Sequence, residues 1–264
     1  MLMAVKNQLN VTLLSIKYAL MREMLNKTTF LANIIFMILN NASFIIQWVV
    51  LFSIKDDIAG NTFHEILLLW GLASSVFGFS RFFFKKAFEL SDIITHGKLD
   101  NFLVQPKNVL ISSITTDVEP SAIGDMLYGY IMLFIFGVTL ERFVLFTIFT
   151  VMGGLIITSI AIITASLSFW FANSYMLADT ANSLMINFAT YPGGIFKGAA
   201  KILLYTLVPV GLSNYIPLEL ICEFDVYYFL VLLGVCLLLI FLSFYIFNKG
   251  LKRYSSSNLM IARI

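Results

Sequence analysis

Polar side chains recur at a regular interval in the first long apolar stretch of this sequence, residues 30–54. Asparagine or glutamine occupies every seventh position there, at Asn33, Asn40 and Gln47. Residues seven apart share one face of an α-helix. Such a stripe can donate hydrogen bonds to a neighbouring helix, or it can line a partly hydrated path. Both interpretations are open, and they can hold at different depths.

A second polar series lies in a later stretch, residues 177–192, and steps by four residues. If this stretch is a helix, the series also forms one face. A carboxylate is the costliest of these groups in lipid, so its position predicts a charge beside any such path. The series consists of Asp179, Ser183, Asn187 and Tyr191.

The patterns of catalysis and metal binding do not occur in this sequence. There is no Ser-His-Asp order, no H-E-x-x-H and no G-x-x-x-x-G-K-[ST] phosphate loop, and His64 and His96 are isolated from any ligand cluster. Asp125 lies near Asp117 and Glu119, which predicts a place at the membrane interface rather than in a proton relay. We therefore expect no catalytic residue, no metal site and no cofactor bound by this chain.

The composition defines the elements that must position these residues. Of the 264 residues, 59% are apolar and only 12% charged, and the mean hydropathy is +0.91. These values predict an all-α integral membrane protein with one membrane domain over residues 1–264. The length allows about six spans of roughly 20 residues. The apolar stretches place them at 30–54, 63–84, 121–140, 143–171, 177–192 and 226–248.

Two further segments are predicted to lie at the membrane surfaces. Residues 1–29 have the pattern of an amphipathic interfacial helix. Residues 195–217 contain Pro209 and Pro217 and are expected to form a broken or re-entrant segment in the outer leaflet. A second assignment puts the fifth span at 198–216 instead, which leaves the number of crossings unchanged.

The basic residues orient the chain. With both termini in the cytoplasm, thirteen of the 17 lysines and arginines fall on the inner side, as the positive-inside rule requires. We expect a multi-pass protein of the cytoplasmic (cell) membrane, with 249–264 as a cytoplasmic tail. Nucleic-acid binding is not expected, because topology explains the basic residues and the net charge is only +2.

The longest predicted cytoplasmic segment, residues 85–120, has internal order of its own. Gly97 is suited to end one helix, Asp100 to cap a short new one and Pro106 to stop it. This short helix would show a small apolar face between basic residues. Such a face either packs on the adjacent spans or fits a groove on another protein.

Several stretches together resemble the permease subunit of a type-2 ABC exporter. They are the "GKLDNFLVQP" turn and helix in the first cytoplasmic loop, the "YPGGIF" break, and "LVPVGLSNYIPLEL" before the last span. The similarity extends over nearly the whole chain. It is greatest to the branch whose permeases are often two different subunits that work beside one ATPase.

The resemblance implies partners and roles for particular residues. A separate ATPase would supply ATP and Mg²⁺ binding and would dock on a coupling helix, here Leu99, Asp100, Phe102, Leu103 and Val104. A second permease would border the substrate path, with membrane lipids around both. The two polar series would then face that path or the interface between permeases. The implied cargo is a drug, a peptide or a lipid-like amphipath.

Two other functions are compatible with the residues alone. One is a carrier driven by an ion gradient, against which the lack of a visible inverted repeat argues. The other is a membrane enzyme that uses Asp179 or Asp125 on a lipid, against which the lack of a second catalytic group argues.

Overall fold

The computed structural model describes residues 2–171, 174–206 and 208–255, with side chains from Lys6 onward. Within these residues the chain is helical, as predicted, and forms no β-strand. The remainder of the predicted tail, 256–264, lies outside the described residues. The helices are α1 (Leu2–Glu23), α2 (Lys27–Ile54), α3 (Phe63–Phe88), α4 (Leu90–Thr95), α5 (Asp100–Leu103), α6 (Val109–Ile114), α7 (Ser121–Gly137), α8 (Leu140–Ser166), α9 (Ser174–Ala189), α10 (Ala199–Thr206), α11 (Ile216–Cys222) and α12 (Val226–Leu251).

Four helical segments are long and apolar enough to cross a membrane: Lys27–Ile54, Phe63–Thr95, Leu140–Phe169 and Val226–Leu251. The predicted end of the second span, residue 84, coincides with a kink, since Phe84 leaves helical geometry inside α3. Two predicted spans fall short of this standard. At 17 residues α7 is about 25 Å long, and α9 has 16 residues that include three of the four members of the second polar series. The count of six spans therefore stays a prediction.

The segment before α12 is broken, in agreement with the sequence. Helix α10 and the stretch Gly211–Cys222 meet at an angle of 73°. If this bent pair crosses the membrane as a single unit, the described residues contain five spans; otherwise they contain four. The stretch begins as a π-helix, Gly211–Tyr215, and continues as α11. Pro209 lies in the break, but Pro217 lies in the first turn of α11, where a helix tolerates proline. Only the first of the two prolines interrupts the helix.

Helix α3 is the centre of the bundle. Of its span, 72% is buried, compared with 17% for α2 and for α12. It packs on α7 so closely that Gly71 and Gly129 meet backbone to backbone. The buried side chains around α3, α8 and the π-helical stretch form one continuous apolar core, which includes Trp48, Val76, Phe149 and Tyr215. The two sparsely buried helices leave their remaining faces to lipid or to another chain.

The N-terminal helix is shorter than the predicted 1–29. α1 ends at Glu23, and the side chain of Asn26 caps α2 by accepting a hydrogen bond from the Thr29 N–H. Large apolar side chains on α1 are exposed, among them Leu9, Leu13 and Met21. This face fits the predicted position on a membrane surface.

Helices α4, α5 and α6 fold into one unit, residues 90–114, which we call the inner platform. Gly97, at φ 69°, lets the chain turn between α4 and α5. Asp100 is the first residue of α5, and no side chain caps that helix, so the predicted capping role of Asp100 is wrong. The platform packs on the ends of α8 and α12 through Phe169 and Phe247.

The platform changes the predicted docking face. Leu99 is completely buried in the platform's core and Phe102 is half-buried against it, so neither can fill a groove on another protein in this conformation. Leu103 and Val104 are 44% and 84% exposed. The apolar surface that the platform offers to solvent is therefore the C-terminal part of the predicted coupling helix, Leu103 and Val104.

Candidate functional site

A cavity of about 530 Å³ lies between α2, α3, α9 and the start of α7. It extends from Gln47 and Tyr191 to Arg81 and Glu119, the last two near the predicted cytoplasmic ends of their helices. Both polar and aromatic groups line it. We call it the central cavity.

The central cavity collects four of the seven residues in the two polar series: Asn40, Gln47, Asn187 and Tyr191. Asn33 and Ser183 are exposed and do not line it. Asp179 does not line it either. That carboxylate is exposed and lies in a smaller cavity of about 240 Å³ with Glu89 and Asp92. Asp179 therefore contributes no charge to the central cavity.

The buried carboxylate of the central cavity belongs to Asp125, which is only 9% exposed. The Asn41 amide donates a hydrogen bond of 2.6 Å to its Oδ1. The Ser74 hydroxyl lies 2.9 Å from the Asp125 carbonyl oxygen and 3.4 Å from Oδ1, and the Asn41 amide also reaches Ser74 Oγ at 3.2 Å. These contacts join α2, α3 and α7 at one buried polar point.

Aromatic rings form the wall of the cavity nearer the middle of the helices. Phe44 stacks on Trp70 with ring centroids 5.3 Å apart, and Tyr191 meets the edge of Trp48 at 6.2 Å. The indole N–H groups of Trp48 and Trp70 have no hydrogen-bond partner among the described residues. This part of the cavity suits an apolar ligand body with polar groups at its ends.

An ion pair lies at the inner end of the central cavity. Arg81 Nη1 lies 3.2 Å from Glu119 Oε2, and the Arg81 guanidinium also lies over the Phe88 ring, 5.0 Å from its centroid. Both charged groups line the central cavity. Together with Asp125, they give its wall one positive and two negative charges.

Two residues of this site, Asn41 and Ser74, were not singled out in the sequence, and Asp125 was predicted to lie at the membrane interface. Asn41 and Ser74 form the buried polar point with Asp125, yet their sequence neighbours Asn40 and Ser75 look just as suitable. The "NN" and "SS" pairs were a signal that polar groups gather at these depths of α2 and α3. The sequence does not tell which member of each pair points inward.

A larger cavity of about 750 Å³ lies at the predicted outer ends of the helices. Glu65, Glu219, Glu223 and Asp225 line it, with Lys201 as the basic residue among its lining side chains. Two of these carboxylates have structural roles: Glu65 completes the capping box of α3, and Asp225 caps α12. We therefore place the candidate site in the central cavity.

On the predicted cytoplasmic side, α1 is fastened to the chain segment that follows α5. Gln8 Oε1 accepts a hydrogen bond from the Asn108 N–H at 2.9 Å, and the Ser15 hydroxyl donates to the Thr115 carbonyl at 3.1 Å. A groove of about 660 Å³ separates the start of α1 from residues 105–111. It lies beside Val104, so α1 and the platform present one continuous surface.

Asp117 holds this surface together electrostatically. Its carboxylate lies 2.5 Å from Arg22 Nη2 on α1 and 3.0 Å from Lys85 Nζ on α3, with Lys86 Nζ at 3.6 Å. Burial would raise the pKa of Asp117, but the hydrogen bond from Lys85 and the charges of Lys85, Lys86 and Arg22 outweigh it and hold that pKa below its usual value.

Replacing Asp117 with asparagine should lower the stability of the protein at pH 7 by about 1 kcal/mol, since Arg22 is largely exposed and solvent screens the pair. A depressed pKa stabilises the fold above the unfolded-state pKa of about 3.9, and this contribution disappears as the pH falls through the folded-state value. Melting curves in detergent should thus show a gap in melting temperature between wild type and Asp117→Asn, and this gap should close below about pH 4. Asp56→Asn, in the exposed loop 55–62, should show no such gap. A gap that persisted unchanged at about pH 3 would contradict the role of this charge.

The chemistry available to the chain is that of binding. Within the described residues, no group of three or more His, Cys, Asp or Glu side chains is placed to hold a metal ion. Cys236 is buried, and Cys222 lies at the outer cavity on a different helix. The central cavity offers hydrogen bonds, a buried carboxylate and aromatic faces.

Comparison with known proteins agrees with this picture. The family model described as ABC-2 family transporter protein matches residues 37–258, which is most of the chain. No curated protein and no solved structure matches the chain. The chain has several helices long and apolar enough to cross a membrane, and the family model matches most of its length. It therefore belongs to the ABC-2 family of transporters as a membrane permease subunit.

Proposed function

We propose that this chain works as the permease of an ATP-driven exporter, together with a second permease and a separate ATPase that docks on the inner platform. The observation that carries this proposal is the construction of the platform. Its base is buried against the ends of α8 and α12, while Leu103 and Val104 at its tip are exposed. Such a unit can receive a push from another protein and transmit it to the spans.

The energy must come from another polypeptide, because the sequence contains no phosphate loop. ATP and Mg²⁺ are thus bound by the partner ATPase. Family membership favours this source over an ion gradient, and it favours transport over lipid chemistry.

The docking surface consists of Leu103, Val104 and the groove beside α1. Closure of two ATPase subunits on ATP would move this surface. The movement reaches the spans by two routes: through Phe169 and Phe247 at the base of the platform, and through the Arg22–Asp117–Lys85 contacts from α1 to α3.

The central cavity is the proposed cargo path, and a second permease, identical or homologous, would complete it. Helix α2 supports this proposal, since only 17% of its span is buried and the polar Asn33 is exposed on it. A polar side chain on a lipid-facing helix is costly and favours contact with another helix. The cargo expected for such a path is a drug, a peptide or a lipid-like amphipath, carried outward across the cytoplasmic membrane.

The docking proposal predicts the behaviour of the double variant Leu103→Asp and Val104→Asp. Two exposed apolar side chains at the centre of an interface become charges that the partner must desolvate. The amount of ATPase recovered with the tagged permease should fall at least about tenfold. The melting temperature and helical content should stay at the wild-type values, because neither side chain is part of the core.

The matched control is Val138→Asp and Leu140→Asp, which makes the same chemical change at exposed positions of the α7–α8 turn, at the other end of the molecule. This control should keep the ATPase. If the Leu103 and Val104 variant folded normally and also kept the ATPase, the docking surface would have to lie elsewhere.

A further inference from the structure

The Asp125 carboxylate has hydrogen bonds but no cation. Its Oδ1 receives the Asn41 amide, whereas no donor among the described residues bonds to its Oδ2. Neither Lys nor Arg of the described chain lies within ion-pair distance of it. A carboxylate that is nine-tenths buried is costly to keep in this condition, because its charge is only partly compensated.

The other charges of the central cavity do not compensate for Asp125. Arg81 is paired with Glu119 at 3.2 Å, and all other lining residues are uncharged. With Arg81 and Glu119 cancelling each other, the ionised cavity carries one net negative charge, and that charge belongs to Asp125. The cavity is thus complementary to a single positive charge.

The aromatic wall is complementary to the apolar part of such a ligand. Small-molecule sites are lined mainly by apolar and aromatic side chains, which contact the apolar body of a ligand. Trp70 and Phe44 form a stacked pair on this wall, with Phe77 and Met37 as further apolar lining. At about 530 Å³ the cavity falls within the range of small-molecule sites.

We propose that the central cavity recognises a cationic amphipath, with an ammonium group beside Asp125 and an apolar body against Phe44 and Trp70. This inference rests on the proposed function and narrows its cargo from amphipaths in general to those that carry one positive charge. Asp125 is the residue that sets this specificity.

A purely structural role for Asp125 makes a different prediction. If the side chain only joins α2, α3 and α7, asparagine at position 125 keeps most of the hydrogen bonds and ligand preference should not change. If the charge selects the ligand, asparagine should abolish the preference for a cation while the fold survives. The Asp125→Asn variant separates the two roles.

The probes are 1-naphthylmethylamine, which is protonated at pH 7, and its N-acetyl derivative, which is neutral. Binding to the full-length permease in lipid nanodiscs is measured by calorimetry and corrected with empty nanodiscs. The wild type should bind the amine at least about tenfold more tightly than the amide, as expected for a charge-assisted hydrogen bond in a buried site. Asp125→Asn should bind the two equally.

Asp179→Asn is the matched control, because it removes the other carboxylate of the predicted path, which lies outside the central cavity. It should retain the wild-type preference. Equal binding of both probes by the wild type, absence of amine binding, or an unchanged preference in Asp125→Asn would each overturn the proposal. Circular dichroism and melting curves of Asp125→Asn verify that the variant is folded.

Transport separates this proposal from the exporter proposal. In proteoliposomes that contain the permease, its partner permease and the ATPase, ATP-driven movement of the amide as fast as the amine would refute cation selectivity and leave the exporter intact. Charge-selective binding without ATP-driven movement of either probe would support the cation site and refute the exporter.

Discussion

Replacing Gly129 with alanine should destabilise the membrane domain by at least about 3 kcal/mol, the upper part of the range for overpacking a close contact. A Cβ at this position would lie 2.3 Å from the Gly71 carbonyl oxygen, besides overlapping the Ser75 hydroxyl. The serine could rotate away, but the backbone carbonyl of α3 cannot. The two central helices α3 and α7 would have to separate.

The consequence reaches the central cavity, because Asp125 lies on α7 about one turn before Gly129. Moving α7 away from α3 stretches the contacts between Asp125 and Ser74. We therefore expect Gly129→Ala to lose ligand binding along with stability. Thermal unfolding in detergent and calorimetric binding of 1-naphthylmethylamine would measure the two effects.

Gly234 on α12 provides the control, since a Cβ there would have no atom within 4 Å. Gly234→Ala should be neutral or slightly stabilising, because alanine is the better helix former by about 1 kcal/mol. If both glycine variants unfolded at the wild-type temperature, the close approach of α3 and α7 would not contribute to stability as described.

The helical class and several helix ends could be predicted because they depend on local sequence. Apolar stretches of sufficient length predict helices, Gly97 ends α4 through its positive φ, and Pro209 falls in the break before the π-helix. These features need no knowledge of distant residues. The short third and fifth predicted spans show the limit, since α7 and α9 owe their positions to packing on α3 and α8 as much as to hydropathy.

The two polar series were predicted as stripes, and the structure brings only some members of each to the central cavity, for a geometric reason. A step of four residues advances about 400° around a helix, so Asp179 and Asn187 differ by about 80° in direction and about 12 Å in height. Asn187 can therefore face the central cavity while Asp179 faces Glu89 and Asp92. A step of seven residues drifts less, but it still places Asn33 about 10 Å below Asn40.

The burial of Asp125, which the sequence did not predict, depends on contacts between distant segments. Asp125 meets Asn41 and Ser74, which precede it by 84 and 51 residues. Near Asp117 and Glu119 in the sequence, it resembles a third interfacial carboxylate. Only the crossing of α2 over α3 and α7 buries it, and no local pattern contains that information.

Leu99 illustrates the same limit within the inner platform and gives the second large prediction. Replacing it with alanine should cost about 2–5 kcal/mol, as for other fully buried leucines. Its side chain lies in a cluster with Leu90, Ile94 and Leu110 from the platform and Phe169 from the end of α8. The cavity left behind would loosen all of these contacts at once.

Leu103→Ala is the matched control, four residues away and 44% exposed, whereas Leu99 is completely buried. It should leave stability unchanged within about 0.5 kcal/mol, the usual range for surface positions. Melting temperature and the protease sensitivity of residues 90–114 report on the platform, and recovery of the ATPase reports on docking. We expect Leu99→Ala to fail in all three assays, and Leu103→Ala to change recovery alone.

These outcomes decide how force reaches the spans. If Leu99→Ala kept a stable platform yet lost the ATPase, Leu99 would have to become exposed when the partner binds, as the sequence alone suggested. If it lost both, the buried leucine holds the platform against α8 and α12, and docking fails because its support is gone. The burial of Leu99 favours the second result, in which the exposed tip would contact the ATPase and the buried base would connect that contact to the membrane helices.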